Sequence, residues 1–370
     1  MIYPIDETAT KIYTKLKGYS TSEQVSVPND MYWYNKLNTN EKKAYHSIYA
    51  AILNFPEKIA ITKVSGDEIE HIFEALSYDN PEFFFLGNSS TFMSSGYIHF
   101  FVPQYTMTKD IYNEYMTQIN GEFERIKSAT AGMSEYEKEL YVHDYMITNC
   151  EYNDTGSEMR LTVYGAIINK QANCEGYSRG TQFLLNKLGV KTRVIIGDAS
   201  NGSGGVEGHM WNIVTIDGKE YNFDATWDDH QISGISSKSI PPSHMYMNIP
   251  TSEIISTHKA SDERYYSGCI YNDASYYKMN GLLFSTYDNN VKNKIVDELA
   301  KQATNGGNNI EIKFENQQAY NTAMSKLFKG QEIYRLISRA NLKSSRKIGN
   351  NAVNYTNTSE KYIIRIFFNL

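Results

Sequence analysis

A chain of 370 residues is long for one small domain and points to two or three folding units. Its 36 Lys+Arg against 42 Asp+Glu give a net charge of -6, whereas domains that grip phosphate backbones are usually basic, so no nucleic-acid partner is expected. With 41% hydrophobic and 13% aromatic residues, the chain holds ample core material, and global disorder is excluded.

No run approaches the ~20 apolar residues that cross a bilayer. The opening stretch MIYPIDETAT KIYTKLKGYS has no apolar segment of the signal-peptide kind. The expectation is a cytosolic chain, or one whose export segment has been removed. Three cysteines, Cys150, Cys174 and Cys269, cannot pair completely, so at least one is a candidate free thiol.

In chain order, residues 1–120 predict a mixed helix–strand domain. Asn40 is a candidate cap for a helix with Ala44, Ile48, Ala51, Ile52 and Phe55 on its apolar face. A short strand around Ile59–Val64 and a second helix bearing Ile69, Ile72, Phe73 and Leu76 follow. Asp79-Asn80-Pro81 ends that helix, and extended runs are expected at Phe83–Leu86 and Tyr97–Val102. The aromatics here are expected to be core. Residues from about Ile111 to Asn149 have a helical pattern, with Ser134-x-x-Glu137 as a capping box.

The middle segment, 121–260, carries the chemistry. Asn173 is a good N-cap, which makes Cys174 the first residue of a helix running through Tyr177, Thr181, Leu184, Leu185 and Leu188 to a stop at Gly189. A thiol there faces unpaired N–H groups and the positive end of the helix dipole, both of which favour the nucleophilic thiolate. A strand is expected at Val194–Gly197. Two alternating runs, 208–216 and 219–227, are then joined by Asp217-Gly218, a strong hairpin signal. A two-residue turn pairs 216 with 219, so His209 falls opposite Thr226 and Trp211 opposite Asp224. His209 and Asp224 then share a face as diagonal neighbours, about 7–8 Å apart. A slip of one residue would put them on opposite faces. A Cys on a helix N-terminus with a His and an Asp on one hairpin face is the pattern of an activated nucleophile.

The last segment, 261–370, predicts a small α/β domain. Its expected elements are a strand at Gly281–Thr286, a helix over Val291–Ala303 ended by Gly306-Gly307, and a strand with Ile310, Ile312 and Phe314 inward. A helix ending near Gly330 and a final strand at Tyr362–Phe368 complete it. The basic cluster Arg335, Arg339, Lys343, Arg346 and Lys347 is expected to be a solvated face, the alternative being an anionic contact.

Three motifs now stand in order: Asn-Cys174-Glu-Gly-Tyr, Gly-His209-Met-Trp-Asn-Ile-Val and Tyr-Asn-Phe-Asp224-Ala-Thr-Trp-Asp. Together they resemble the bacterial, Firmicute-type branch of the transglutaminase-like superfamily over about Tyr141 to Asp229. The resemblance implies an α+β fold: a papain-like Cys-His-Asp core with mixed α/β flanking domains. It makes Cys174 the acyl-accepting nucleophile, His209 the base and acid, and Asp224 the orienting carboxylate. The Cys174 N–H would be one oxyanion donor and Tyr164 the candidate second, with Trp211 and Trp227 as candidate walls. The chain departs from the animal enzymes, which have Gly-Gln before the cysteine and Trp after it. Here the order is Ala-Asn-Cys-Glu-Gly, and Glu175 would oppose thiolate formation if it pointed inward. No acidic calcium loop is present in the sequence.

Other motifs are weaker. Gly176-Tyr177-Ser178-Arg179-Gly180 matches a Gly-x-Ser-x-Gly nucleophile elbow, but polar residues and a cap precede it where a buried strand is required. His230, His244 and His258 lie outside any zinc-motif spacing, so no metal and no cofactor are expected. The loop Asn201–Gly205 lacks the Lys-Ser/Thr of a phosphate loop and is expected to rim the site. The implied function is acyl transfer through a thioester, cross-linking amides of protein or peptidoglycan peptides to amines. A peptidase or deamidase with the same triad is an alternative, as is a non-catalytic surface-binding module. By resemblance the place of action is the cell surface or beyond.

Overall fold

The computed structural model describes residues 3–4, 31–87, 90–94, 96–200, 205–229, 241–262, 268–349 and 353–370. Helices and strands intermix along the chain in the expected α+β manner. Two compact units result, Met1–Gly218 with Thr257–Tyr265, and Lys219–Ser256 with Tyr266–Leu370. The chain passes between the units after Gly218, after Ser256 and after Tyr265.

The N-terminal part of the first unit has its own core. Strands Tyr3–Pro4, Ser90–Ser94, Tyr97–Val102 and Ile59–Val64 form a sheet in that order. The helix Thr39–Ile52 is capped by Asn38, not Asn40. The reason is a reciprocal capping box: Asn38 Oδ1 accepts from Glu41 N at 2.9 Å, and Glu41 Oε2 accepts from Asn38 N at 2.6 Å. The helix Gly66–Asp79 begins with a second box, Ser65 with Glu68. Ala44, Tyr45, Ile48 and Ile52 meet Ile69, Ile72 and Leu76 in one cluster with Phe83, Phe85 and Tyr112, so these aromatics are core as expected. Phe83–Leu86 is not a strand. It is turns, with Phe83 N on Asn80 O and Leu86 N on Phe83 O, both at 2.9 Å. Burial drives that apolar run, and Phe85 packs edge-on against Tyr112 at 4.6 Å between centroids.

The helical stretch up to Asn149 is two helices, Lys109–Ala129 and Glu135–Asn149. Ser134 starts the second through the expected box, accepting from Glu137 N at 3.3 Å while Glu137 Oε2 accepts from Ser134 N at 2.8 Å. The helix Cys174–Lys187 then packs on the strand Glu207–Ile216. That strand pairs antiparallel with Thr192–Ala199, which pairs antiparallel with His258–Ala260. Arg179 and Gln182 tie the helix to the N-terminal layer, donating to Ser77 O and Tyr78 O at 2.7 Å each. Asp217 and Gly218 have φ of 49° and 77°, the left-handed pair that a two-residue hairpin turn demands.

In the second unit Lys219–Phe223 pairs antiparallel with Met247–Ile249. A second sheet there has the order Leu283–Phe284, Asn309–Phe314, Ile363–Phe367, Asn354–Thr358. The strand expected at Gly281–Thr286 shrinks to two residues, Leu283–Phe284. The helix Asn289–Asn305 stops at Gly306, as expected. Gln317–Met324 continues as a π-helical turn over Ser325–Lys329 and ends at Gly330. Sequence reading missed the helix Glu332–Lys343, whose buried face is Ile333, Leu336, Ile337 and Ala340. Two of its basic residues meet carboxylates, Arg335 pairing with Glu332 and Lys343 Nζ lying 2.6 Å from Asp297 Oδ1, and Arg339 donates to the neutral Asn293 at 2.5 Å. Among the described residues, no helix is long and apolar enough to cross a membrane.

Candidate active site

Asn173 is extended (φ -91°, ψ -170°), and its Oδ1 accepts from Glu175 N at 3.1 Å and Gly176 N at 3.3 Å. That cap starts the helix at Cys174 and leaves the thiol on its first turn, where N–H groups point outward. Gly176 brings the turn against the short helix Glu158–Leu161: a Cβ at 176 would lie 2.2 Å from Arg160 O. Tyr177 Oη donates to Cys150 O at 2.8 Å, tethering the same turn from its other side. All three cysteines are free thiols, but Cys150 and Cys269 are 1% and 0% exposed while Cys174 is half-buried. Cys174 is the thiol a reagent can reach.

Glu175 does not face inward. Its carboxylate accepts from Arg179 Nε at 2.9 Å, one turn along, and Arg179 is itself held by Ser77 O and Oγ at 2.7 and 3.0 Å. The guanidinium thus balances the acidic neighbour of the thiol.

Two hydrogen bonds latch this helix to the strand carrying His209. Ser178 Oγ donates to Met210 O at 2.8 Å, and Asn212 Nδ2 donates to Ser178 O at 3.0 Å. Ser178 lies one turn past Cys174 on the same helix stripe, so the latch fixes the thiol's helix beside the strand at its His209 end. Ser178 is 3% exposed with its hydroxyl on a carbonyl inside a helix, so the nucleophile-elbow reading fails.

His209 is buried, and the Trp211 ring, two residues along on the same face, stacks on it at 6.0 Å and 16°. His258 supplies a contact that sequence reading missed. Its ring meets His209 at 5.1 Å and 63°, and Trp211 at 5.1 Å and 72°. Thr257 Oγ1 lies 2.8 Å from His258 Nδ1 and fixes that ring in turn. The strand register brings the rings together: Gly197 on the middle strand is the partner of both His209 and Ala260. A Cβ at Gly197 would lie 2.1 Å from Lys259 O, so the approach of the His258 strand requires glycine there. No local pattern in the sequence announces a three-residue strand that pairs across so long a separation.

His258→Phe, which keeps a flat ring, is expected to retain Cys174 alkylation within about 3-fold of the parent chain, whereas His258→Ala slows it ~10-fold. Alkylation rates by mass spectrometry check this. Equal loss in both variants would mean that an imidazole nitrogen, and not ring packing, is what His209 needs.

Asp224 and Trp227 belong to the second unit. The strand expected to run to 227 ends at Phe223, so Thr226 is not a ladder residue opposite His209, nor Asp224 one opposite Trp211. The cause is local: Asp224 Oδ1 accepts from Thr226 N at 2.9 Å and Trp227 N at 3.1 Å, capping the short helix Ala225–Asp228. Asp224 is 1% exposed, and its own N–H donates to Tyr246 O at 3.1 Å. Trp227 is half-buried and packs edge-on against Tyr246 at 5.3 Å. Tyr164, the candidate oxyanion donor, stacks on Tyr115 at 3.9 Å and donates to Gln118 Oε1 at 3.2 Å; burial raises its pKa. Among the described residues, neither unit by itself gathers three His, Cys, Asp or Glu ligand atoms as a metal requires. Residues 201–204 and His230 lie outside the described residues.

Comparison with known proteins gives one family-model match, over part of the chain. Residues 125–225 match the family model of the transglutaminase-like superfamily. No curated protein matches the chain. Among solved structures, a candidate cysteine protease from Cytophaga hutchinsonii is similar at 17% identity and TM-score 0.26, covering 35% of this chain and 52% of its own. A TGase is similar at 15% identity and TM-score 0.29, with 49% and 53% covered. A candidate protease from Parabacteroides distasonis is similar at 12% identity and TM-score 0.21, with 38% and 30% covered. The chain thus spans about half the length of the first two.

Proposed function

We propose, taking the transglutaminase-like match over residues 125–225 as premise, that this chain is a cysteine acyltransferase. The observation that carries the reading is the reachable thiol of Cys174 on the first turn of a helix latched to the His209 strand. His209 takes the thiol proton, and the thiolate attacks the carbonyl carbon of a carboxamide. Charge on the carbonyl oxygen is met by the Cys174 N–H, which lies ahead of the N–H groups that Asn173 caps. His209 then gives its proton to the leaving nitrogen, the C–N bond breaks, ammonia departs and a thioester remains. An amine attacks the thioester, His209 takes the amine's proton, and the C–S bond breaks to restore the thiolate. Such proton transfers contribute typically ~10²–10⁴ in rate.

Asp224 is proposed to hold the His209 ring, on the strength of the transglutaminase-like match that extends to residue 225. Trp211 and Trp227 are proposed as walls that exclude water, and Tyr164 as a second oxyanion donor once its hydroxyl leaves Gln118. The acyl donors proposed are amides of protein or peptidoglycan peptides, the acceptors amines, and the place of action the cell surface. Water as acceptor would make the same site a deamidase or peptidase.

Two measurements test the reading. Iodoacetamide at neutral pH is expected to label Cys174 and to spare Cys150 and Cys269, read by peptide mass spectrometry. Dansyl-cadaverine is expected to be incorporated into a glutamine-bearing protein. Labelling of Cys150 or Cys269 with Cys174 untouched would sink the activated thiol. Ammonia release without incorporation would assign water as the acceptor.

A further inference from the structure

The second unit buries charge on a scale that calls for a physical reason. Glu311 and Arg365 are direct cross-strand partners in its four-stranded sheet, 2% and 4% exposed. Arg365 Nε lies 3.2 Å from Glu311 Oε2, and the Tyr277 hydroxyl donates to Glu311 Oε1. Removing two such ions from water costs several kcal/mol each, and their attraction alone often does no more than offset this. What the pair does beyond pairing is to hold another segment. Arg365 donates to Pro241 O and Pro242 O, the latter at 3.0 Å, and Glu311 Oε1 accepts from His244 N at 3.3 Å. The His244 ring is stacked on Tyr276 at 3.7 Å and 6°.

That gripped segment leads directly to Asp224. Two residues past His244, Tyr246 O accepts from Asp224 N at 3.1 Å. Tyr246 N donates to both oxygens of Asp228, at 3.2 and 3.0 Å, and Asp228 is fully buried at the end of the helix that Asp224 caps. Met247 is the strand partner of Phe223, the residue before Asp224. Asp224 is therefore bound on its backbone side to a strip whose preceding residues are clamped by the Glu311–Arg365 pair.

We infer that Glu311 and Arg365, with Tyr277, are positioning residues for Asp224. The inference rests on the role proposed for Asp224 above. The clamp acts through 241–247 and touches no reacting atom.

The test uses the full chain and iodoacetamide as the probe. The ratio of Cys174 alkylation rates at pH 6 and pH 9 reads how well His209 supports the thiolate, and it cancels changes in access. Asp224→Asn is expected to lower that ratio ~10-fold, and Glu311→Gln at least ~3-fold in the same direction. The double variant is expected to fall no lower than Asp224→Asn alone, because the clamp works only through that carboxylate. In Glu311→Gln, hydrogen exchange of peptides covering 223–228 and 244–249 is expected to quicken ~10-fold. Tyr277→Phe, which removes one hydroxyl from Glu311, repeats both effects more mildly should Glu311→Gln fold poorly. An unchanged ratio in Glu311→Gln, or a loss that adds to that of Asp224→Asn, overturns the positioning role. Unchanged exchange overturns the clamp itself. A ratio unmoved by Asp224→Asn while exchange quickens overturns the triad reading instead, and with it the catalytic half of the inference.

Discussion

Cys174→Ala is expected to lower amine incorporation by ~10⁴-fold or more and to abolish rapid labelling of the folded chain by iodoacetamide. The loss is total because the thioester has no other sulfur on which to form. Cys150 and Cys269 are 1% and 0% exposed, so neither stands in. The fold should survive the change: Asn173 makes the cap with its own side chain, and Ala suits the first turn of a helix. Thermal unfolding together with an activity assay separates lost chemistry from lost structure. Activity kept in a folded Cys174→Ala chain would remove the thioester route altogether.

Gly176→Ala is expected to lower stability by about 3 kcal/mol or more in urea unfolding. The added carbon would sit 2.2 Å from Arg160 O and 2.7 Å from Ala172 Cβ, and neither is the end of a long side chain that can swing away. Relief requires the first turn of the helix to lift off the Glu158–Leu161 turn, and Cys174 moves with it. Alkylation of Cys174 should therefore slow in the same variant under conditions where the chain is still folded. Gly66→Ala is the control: nothing lies within 4 Å of a Cβ there, and a change under about 1 kcal/mol is expected. Equal effects at the two glycines would mean that backbone entropy, and not the close approach, governs both.

Two misread elements share one cause. Asn38 and Asn40 both suit a cap, and Glu41 three residues past Asn38 decides between them. Asp224 was expected to be a strand residue by alternation, yet Asp followed by Ala-Thr-Trp is itself a helix start, and the strand ends before it. Both signals were local and legible to a reading that weighs caps against periodicity. Phe83–Leu86 differs in kind: four apolar residues in a row fit strand and turn equally well, and packing on Tyr112 and its neighbours chose the turn. The helix Glu332–Lys343 was hidden behind its charges, although Ile333, Leu336, Ile337 and Ala340 carry the buried face.

The sequence by itself determined where the thiol stands. Asn173 before it and Gly189 after the helix act within a few residues, and Gly189 has the left-handed φ of 85° that ends such a helix. The turn at Asp217-Gly218 and the capping boxes at Ser65 and Ser134 are local in the same way. Tertiary structure decided which of three thiols is reachable, and that Glu175 turns to an Arg179 anchored on Ser77 far earlier in the chain. It also decided that His258 meets His209, through a strand whose backbone approaches only because residue 197 has no side chain. Caps and turns are settled by neighbours along the chain, whereas burial and ring contacts depend on register between distant segments, which no short stretch of sequence encodes.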